Sequence, residues 1–198
     1  MTARKSVHGL LLVLALAAMP MPGRAEPHVR NGIYAGAGYG ADWGKVELAG
    51  QQQTESSGTL NLRLGWALRQ NLLLGAEYMR WAKDYEYKTL DGSIPWRVTL
   101  SGMVAAVTYF PGNQGFMLRL GLGVADASVD ADATSFSEAA SYSPDPGLAV
   151  LLAVGYEVRL TTRFALGADF DVLYLAVSDD TFDRAYVYGI NLQLNWYW

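Results

Sequence analysis

Apolar and polar side chains alternate along the last fifteen residues of the chain, 184–198. The even positions hold large apolar side chains, namely Tyr186, Tyr188, Ile190, Leu192, Leu194, Trp196 and Trp198, and the odd positions are mostly small or polar. A period of two residues predicts a β-strand, whereas an amphipathic helix would show a period near 3.6. A tilted strand needs about 9 to 11 residues to cross a bilayer, while strands of soluble proteins usually run about 5 to 6. The segment therefore predicts a strand long enough to span a membrane.

Seven earlier segments show the same alternation, at residues 33–43, 60–68, 72–79, 96–110, 116–124, 148–159 and 164–174. Short turns follow the second, fourth and sixth segments, and longer polar loops are expected at about residues 44–57, 82–95, 127–146 and 178–183. Tight periplasmic turns that alternate with longer extracellular loops are typical of transmembrane barrels. The pattern therefore predicts an all-β fold, an eight-stranded antiparallel up-and-down transmembrane β-barrel with both chain ends on the periplasmic side.

Aromatic residues lie at both ends of the predicted apolar faces, with aliphatic residues between them. The expected outer band holds Tyr39, Trp43, Tyr78, Trp96, Tyr174, Tyr186 and Tyr188, and the expected inner band holds Trp66, Phe110, Phe116, Tyr156, Phe164, Trp196 and Trp198. Aromatic belts at both membrane interfaces are a feature of membrane proteins. The sequence therefore predicts two aromatic girdles on a lipid-facing surface.

The opposite faces of the predicted strands carry eight charged residues that are expected to point into the lumen: Arg63, Glu77, Arg97, Arg119, Glu157, Arg159, Asp169 and Asp171. With residues 69–71 as a three-residue turn, antiparallel register places Arg63 directly opposite Glu77. Positive and negative charges are equal in number in this set, and an eight-stranded barrel is just wide enough to be filled by side chains. The sequence therefore predicts a polar lumen plugged by paired charges.

The first 25 residues have the organisation of a secretory signal peptide. A basic start and an apolar core at residues 10–18 precede the small-x-small motif Gly-Arg-Ala at residues 23–25. The apolar core is too short for a membrane-spanning helix, which needs about 20 residues. We therefore expect cleavage after Ala25, which leaves residues 26–198 as one outer-membrane barrel domain and changes the formal net charge from -4 to -7, because three basic residues leave with the peptide.

The composition excludes some kinds of site and partner, and one alternative fold remains to be compared with the barrel. The chain has no cysteine, so it has neither a disulfide framework nor a thiolate metal site. The acidic mature chain argues against nucleic acid as a partner. A periplasmic β-sandwich is the soluble alternative, and it would require the alternating apolar faces to pack against a second sheet.

The mature chain resembles the small eight-stranded outer-membrane proteins, of the type of the OmpA transmembrane domain and OmpX. The resemblance rests on the strand-turn-strand segment VTYFPGNQGFMLRLGLGVA at residues 107–125 and on the C-terminal aromatic Trp198. It implies outer-membrane lipid and lipopolysaccharide as surroundings, the barrel-assembly machinery as a partner of the C-terminal strand, and a ligand at the extracellular loops. No cofactor is predicted.

Members of this class include lipid A enzymes that depend on a histidine working with a serine. The mature chain has a single histidine, His28, and it precedes the first strand on the periplasmic side. Asp169 and Asp171 could form a catalytic carboxylate pair, but membership of an internal ion-pair network is the preferred interpretation. No catalytic residue is therefore predicted, and a lipid-modifying enzyme ranks third among the functions.

The expected loops offer two further kinds of site. Carboxylates of the third loop, at Asp126, Asp130, Asp132, Glu138 and Asp145, could hold calcium, but their spacing lacks the pattern of a dedicated loop. Loop aromatics are candidate recognition contacts or interface anchors: Trp43, Tyr85, Tyr87, Phe136, Tyr142 and Phe182. The leading expectation is a structural and surface-interaction protein, and the alternative is a small pore for small or hydrophobic compounds.

Overall fold

The computed structural model describes residues 30–48, 51–89, 92–131, 140–176 and 182–198. The predicted signal peptide and His28 lie outside these residues, so cleavage after Ala25 stays a prediction. Within the described ranges no helix is long and apolar enough to cross a membrane.

Antiparallel strands make up almost all of the described chain. They are β1 Gly32–Leu48, β2 Gln51–Arg69, β3 Leu72–Thr89, β4 Gly92–Tyr109, β5 Phe116–Ala131, β6 Ala140–Tyr142, β7 Gly147–Arg159, β8 Phe164–Ala176 and β9 Phe182–Tyr197. The sheet runs β4, β3, β2, β1, β9, β8, β7, β5, and pairing of β4 with β5 closes it. The short β6 is a local addition beside the end of β5. The predicted eight-stranded up-and-down barrel is therefore confirmed.

Three short connections lie at one end of the barrel, which we call the base. Residues 70–71 join β2 to β3, a 3₁₀ turn at Pro111–Asn113 lies between β4 and β5, and residues 160–163 join β7 to β8. Gly112 has a positive φ of 67°, which a glycine adopts at little cost in a tight turn. β1 begins and β9 ends at the base, so the start of the first strand and the end of the last strand lie on the same side as the short turns, as expected. We call the opposite end of the barrel the outer end.

Large apolar side chains cover the outside of the barrel wall. Leu64 and Leu120 are about 60% exposed, and similar residues project from all eight long strands. Soluble monomers rarely expose a contiguous apolar surface larger than a few hundred Å². This continuous apolar surface is what a barrel surrounded by lipid presents. All the described strands belong to one closed sheet, so the described residues form no second sheet against which a sandwich would pack.

Strand β4 faces opposite to the prediction. Val98, Leu100, Val104 and Phe110 were expected on the lipid face, but all are at most 4% exposed inside the barrel, and Trp96 also points inward. The outward positions are occupied instead by residues such as Met103, which is 57% exposed. The prediction failed because β4 carries apolar residues on both faces, so its periodicity does not identify the lumen side. Pairing with β3 and β5 determines which face of β4 points into the lumen.

The first two predicted loops are continuations of the strands. Pairing of β1 with β2 extends to Leu48 and Gln51, and pairing of β3 with β4 extends to Thr89 and Gly92. Backbone hydrogen bonds hold such hairpins together without an apolar face, so the loss of alternation at residues 44–57 and 82–95 did not mark the strand ends. The third predicted loop likewise contains the end of β5 and β6.

Candidate functional site in the barrel interior

Four charged side chains meet near the middle of the lumen, and we call them the central layer: Arg63, Glu77, Arg119 and Asp169. Arg63 lies 3.0 Å from Glu77 and 3.3 Å from Asp169. Arg119 lies 3.3 Å from Glu77 and 3.0 Å from Asp169. The four residues come from β2, β3, β5 and β8 and are at most 7% exposed. Each cation therefore contacts both anions, and the layer connects opposite walls of the barrel.

Neutral side chains add hydrogen bonds to the central layer. Asn61 donates to Glu77 at 2.6 Å, and Arg119 donates from Nε to the hydroxyl of Thr108 at 3.3 Å. Gln193 accepts from Arg63 and donates to Asp169. Buried ion pairs offset their desolvation only when further hydrogen bonds support them. These partners supply such support on β2, β4 and β9.

Arg30 lies at the base of the barrel interior. Its guanidinium lies 3.0 Å from the carboxylate of Glu157 and donates to the backbone carbonyls of Gln114 at 3.1 Å and Gln70 at 3.4 Å. It also lies 3.4 Å from the ring centroid of Phe110. Arg30 is fully buried. One side chain that precedes β1 thus ties two basal turns to β7.

Glu157 is the centre of this basal group, which we call the basal layer: Arg30, Glu157, Arg159, Asn195 and Tyr197. The second oxygen of Glu157 accepts from Tyr197 at 2.8 Å and from Asn195 at 2.9 Å. The guanidinium of Arg159 lies 3.8 Å from the centroid of the Tyr197 ring. The basal layer therefore holds two cations around one buried carboxylate.

Four polar side chains lie on the outer side of the central layer, and we call them the outer acidic layer: Asp42, Thr59, Asp171 and Asn191. All four are at most 1% exposed. Asn191 donates to Asp171 at 2.8 Å. Neither carboxylate of this layer forms an ion pair with a described residue.

The outer half of the interior is apolar. A cluster that we call the apolar plug fills it: Met79, Trp81, Val98, Leu100, Val104, Ala106, Ala125, Ala127, Ala149, Leu151, Leu173, Leu175, Ala185 and Val187. Trp81 is 1% exposed, and its ring lies where a side chain at Gly44 would be, 2.7 Å from an added Cβ. The interior is therefore mostly apolar toward the outer end, whereas toward the base buried apolar side chains such as Leu73 and Met117 lie beside the charged layers; both findings differ from the predicted polar lumen.

Arg97 is outside the lumen, contrary to prediction. Its side chain is 53% exposed and lies 2.5 Å from Asp84 on the neighbouring strand, beyond the apolar wall. The reversed facing of β4 carries Arg97 outward. The hydrogen bond from Arg97 holds the pKa of the Asp84 carboxyl below its usual value. The other seven predicted lumen charges point inward: four form the central layer, Glu157 and Arg159 belong to the basal layer, and Asp171 belongs to the outer acidic layer.

Sequence reasoning missed several buried residues. Arg30 precedes the first alternating segment, so period-two patterning gave no signal for it. Asp42 lies on the predicted inner face of the first segment, and its facing alone could have added it to the lumen charges. Tyr34 packs against Gly65 and Gly75, where an added Cβ would lie 2.6 Å from its ring or hydroxyl. Glycines at inward positions of neighbouring strands, such as Gly65 and Gly75, could have indicated that a large side chain fills the space beside them.

Twelve of the fourteen predicted girdle aromatics point outward in the structure, and Trp96 and Phe110 point inward. Ring contacts connect neighbours at both ends of the wall. Trp196 stacks on Trp198 at 4.9 Å near the base, and Tyr174 lies 5.0 Å from Tyr186 toward the outer end. Tyr109, which is 43% exposed, is an outward aromatic that the sequence pattern missed. Contact of these rings with the lipid interfaces stays a prediction.

The third-loop carboxylates do not come together as a metal centre in the described part of the chain. No group of three histidine, cysteine, aspartate or glutamate side chains suited to a metal occurs among the described residues. Asp130 accepts hydrogen bonds from Ser128 at 3.2 Å and Ser141 at 2.6 Å. Asp132 and Glu138 lie outside the described residues.

The candidate recognition aromatics are only partly described. Tyr85 stacks on Trp96 at 4.4 Å, and Trp43 stacks on Tyr188 at 6.0 Å. Tyr142 is 43% exposed. The structure does not describe the side chains of Tyr87, Phe136 and Phe182.

Known proteins share this architecture. Ail, the attachment invasion locus protein of Yersinia pestis, superposes with a TM-score of 0.59 and 13% identity in its complex with the heparin analogue sucrose octasulfate, over 83% of this chain and 99% of Ail. A second structure of Ail gives a TM-score of 0.51 at 12% identity, with the same coverage. Neisserial surface protein A (NspA) gives a TM-score of 0.59 at 12% identity, over 84% of this chain and 97% of NspA. At these identities the likeness shows the fold alone.

The family assignment comes from the sequence. No curated protein matches the chain. The outer membrane protein beta-barrel domain family matches residues 8–197, which is nearly the whole chain. The closed barrel, its apolar outer wall and this match lead to one conclusion: the chain belongs to the outer membrane protein beta-barrel domain family.

Proposed function

We propose that the protein is a structural, non-enzymatic barrel of the outer membrane of a Gram-negative bacterium, with a plugged lumen and outer hairpins that serve for surface interaction. The proposal includes export by a signal peptide cleaved after Ala25. It requires no cofactor.

The filled interior is the observation that carries the proposal. The basal layer, the central layer and the apolar plug succeed one another along the barrel axis. Each is built from side chains that are almost completely buried. An eight-stranded barrel is narrow enough for side chains alone to fill it. An open aqueous path through these layers would require ion pairs and apolar contacts to separate.

Conductance tests the plug. Mature protein refolded into planar bilayers is expected to show no steady single-channel current. The matched control is Leu64→Ala, which alters only the lipid face and is expected to behave in the same way. A steady current from the wild-type protein would overturn the plug and favour the pore.

The apolar plug favours one alternative, a route for hydrophobic compounds, because apolar side chains are a compatible lining for such compounds. The charged layers below it oppose complete passage. Uptake of an apolar fluorescent dye into proteoliposomes distinguishes the two. Uptake equal to that of protein-free vesicles supports the plug, and faster uptake that Leu151→Trp abolishes would support the route.

The outer hairpins support the surface-interaction role because contacts between them limit their motion. Lys83 on β3 lies 3.6 Å from Glu55 on β2 and donates to the carbonyl of Ser56 at 2.9 Å. Ser57 donates to the carbonyl of Ala82. Two neighbouring hairpins are thus joined into one wall beyond the apolar belt, and an ordered surface loses less conformational entropy on binding than flexible loops do.

Charge on this wall does not favour a polyanionic ligand. Ail has been solved with a heparin analogue. Here two cations of this wall, Lys83 and Arg97, are each paired with a carboxylate. A protein surface is therefore the partner that we propose for the hairpins.

Surface labelling tests the location and orientation. The chain lacks cysteine, so single substitutions give unambiguous labelling sites. On intact cells, Asp84→Cys is expected to react with a membrane-impermeant maleimide, whereas Arg69→Cys at the base is expected to stay unlabelled until the outer membrane is opened. The reverse pattern would overturn the proposed orientation.

Outward cations support lipopolysaccharide as the lipid surroundings. Arg80 is exposed on the outward face of β3, two residues beyond Tyr78, and Lys45 projects outward on β1. Cations at this height can contact lipid phosphates. Lipopolysaccharide is expected to raise the unfolding temperature of wild-type protein more than that of the Arg80→Ala, Lys45→Ala double variant, with basal Arg69→Ala as the control. Equal increases would remove this support.

A further inference from the structure

Two buried carboxylates approach across a glycine in the outer acidic layer. Asp42 on β1 pairs with Gly189 on β9, and Gly189 pairs with Asp171 on β8. Asp42 extends over Gly189, because its Oδ1 is the first atom that a side chain added at Gly189 would meet. The absence of a side chain at Gly189 therefore leaves the two carboxylates without a side chain between them.

Two neutral oxygen groups lie beside the carboxylates. Two residues toward the base from Asp42, Gly40 pairs with Thr59 on one side and Asn191 on the other. The amide oxygen of Asn191 is the first atom that a side chain at Gly40 would meet. The layer thus brings carboxylate, amide and hydroxyl oxygens together, with the oxygens of Asp42 and Asn191 lying over Gly189 and Gly40.

Most of these oxygens have no donor. Both oxygens of Asp42, Oδ1 of Asp171 and Oδ1 of Asn191 lack a hydrogen bond of normal geometry among the described residues, and the nearby hydroxyl of Thr59 is a donor that acts on the Asp42 carboxylate alone. All four side chains are at most 1% exposed. Buried polar atoms are nearly always satisfied in folded proteins, so this cluster of carboxylate and amide acceptors calls for a further donor or a cation.

Charge in each layer leads to the same conclusion. The guanidinium groups of Arg63 and Arg119 contact Glu77 and Asp169, so the central layer is neutral by itself. The basal layer holds one more cation than anion, but it is separated from the outer acidic layer by the central layer. The outer acidic layer carries two formal negative charges and no cation from the described chain.

We propose that the outer acidic layer binds one divalent hard cation, of the calcium type, between Asp42 and Asp171. Two carboxylates balance its charge, and oxygen atoms alone are the ligands that calcium takes. The amide oxygen of Asn191 and the hydroxyl of Thr59 supply neutral ligands. The site differs from a three-carboxylate metal centre, which does not occur among the described residues.

The surroundings make this a structural site. The apolar plug covers it on the outer side and the central layer on the basal side, so the ion would be captured as the barrel closes and would exchange slowly. Its role is to neutralise two carboxylates whose burial would otherwise oppose folding. The proposal is independent of the proposed plug function, since a bound cation is compatible with a closed or a conducting lumen.

Refolding with and without the ion tests the site. Mature protein is refolded in detergent with calcium chloride or with a chelator, and thermal unfolding is followed by circular dichroism. Calcium during refolding is expected to raise the unfolding temperature of wild-type protein by at least about 4 °C. Asp42→Asn and Asp171→Asn keep the side-chain shape and are expected to lose most of this shift, whereas the exposed control Asp126→Asn is expected to keep it.

Terbium luminescence gives a second measurement that needs no variant. Terbium replaces calcium at oxygen sites, and Trp81 pairs with Thr59, which places an indole close enough to sensitise it. Refolding with terbium is expected to produce tryptophan-excited emission that competing calcium abolishes. No calcium-dependent shift together with no such emission would overturn the proposal, as would a shift that Asp42→Asn and Asp171→Asn both retain. A gain in stability of these two variants over calcium-refolded wild type would show that protons neutralise the layer instead.

Discussion

Arg63 and Glu77 face each other across β2 and β3 with 3.0 Å between their charged groups, although a bulge lies in the hairpin that joins them. Pairing shifts by one residue between Ala67 and Arg69, so the turn has two residues and not the expected three. Beyond the bulge, the register is the one that a three-residue turn would give. The alignment of Arg63 with Glu77 therefore requires both the two-residue turn and the one-residue bulge.

Removal of either member of this pair is expected to destabilise the barrel. Arg63→Ala leaves Glu77 with Arg119 alone, and Glu77→Ala leaves two guanidiniums facing Asp169. We expect each loss to be about 3 to 5 kcal/mol, as for broken buried pairs. The double variant should lose less than the sum, because the second removal no longer leaves an unpaired charge. Urea unfolding in detergent measures the cycle, and strictly additive losses would contradict it.

Arg30 is expected to be as important as the central layer. Arg30→Ala leaves Arg159 as the only cation beside Glu157 among the described residues and removes the contacts to two basal turns. We expect a loss of about 3 to 5 kcal/mol. Arg30→Lys should restore only part of it, since an ammonium cannot reproduce the planar fork and the stacking on Phe110. The exposed basal residue Arg69, changed to Ala, is the control and should change the unfolding free energy little.

A charge on the apolar wall is expected to be costly at mid-height. Leu120→Arg should destabilise the barrel in a bilayer by about 2 to 4 kcal/mol if it lies near the midplane. Leu160→Arg, in a basal turn and similarly exposed, should cost less because the side chain reaches water. Equal unfolding free energies for the two variants would show that the wall at Leu120 does not meet hydrocarbon.

The facing of β4 can be measured directly. In a chain without native cysteine, a fluorophore at Met103→Cys should be quenched by brominated lipid, and one at Val104→Cys should be protected. Quenching at Val104 with protection at Met103 would restore the facing that the sequence pattern suggested.

Close packing predicts contrasting effects at two inward glycines. An added Cβ at Gly75 would lie 2.5 Å from the carbonyl of Leu64 and 2.6 Å from the hydroxyl of Tyr34, whereas at Gly167 its nearest neighbour is 3.5 Å away. Gly75→Ala is therefore expected to cost about 1 to 3 kcal/mol, and Gly167→Ala to be nearly neutral. Similar unfolding midpoints for the two variants would mean that the strands adjust freely around Tyr34.

The sequence allowed the strand count, the closure and most lumen charges to be predicted, because on the seven long strands other than β4 the alternating apolar residues used for the prediction lie on the outward face. β4 shows where this fails. Leu100 packs inside among other apolar side chains while Met103 faces outward, so alternation in one strand does not distinguish the apolar plug from lipid. Arg30 was missed for a different reason: its position depends on the carbonyls of distant turns, which no local pattern encodes.

The four charges of the central layer also fix the strands against sliding. A slip by two residues would preserve the inward and outward faces but would place Arg63 opposite Gly75 or Met79 in place of Glu77. The same step would separate Asp169 on the far wall from its guanidinium partners. Lipid contacts alone oppose such a slip weakly, because one leucine on the wall is much like the next. The ion pairs therefore hold the strands in one register. That register sets the shear of the closed sheet, and so its diameter.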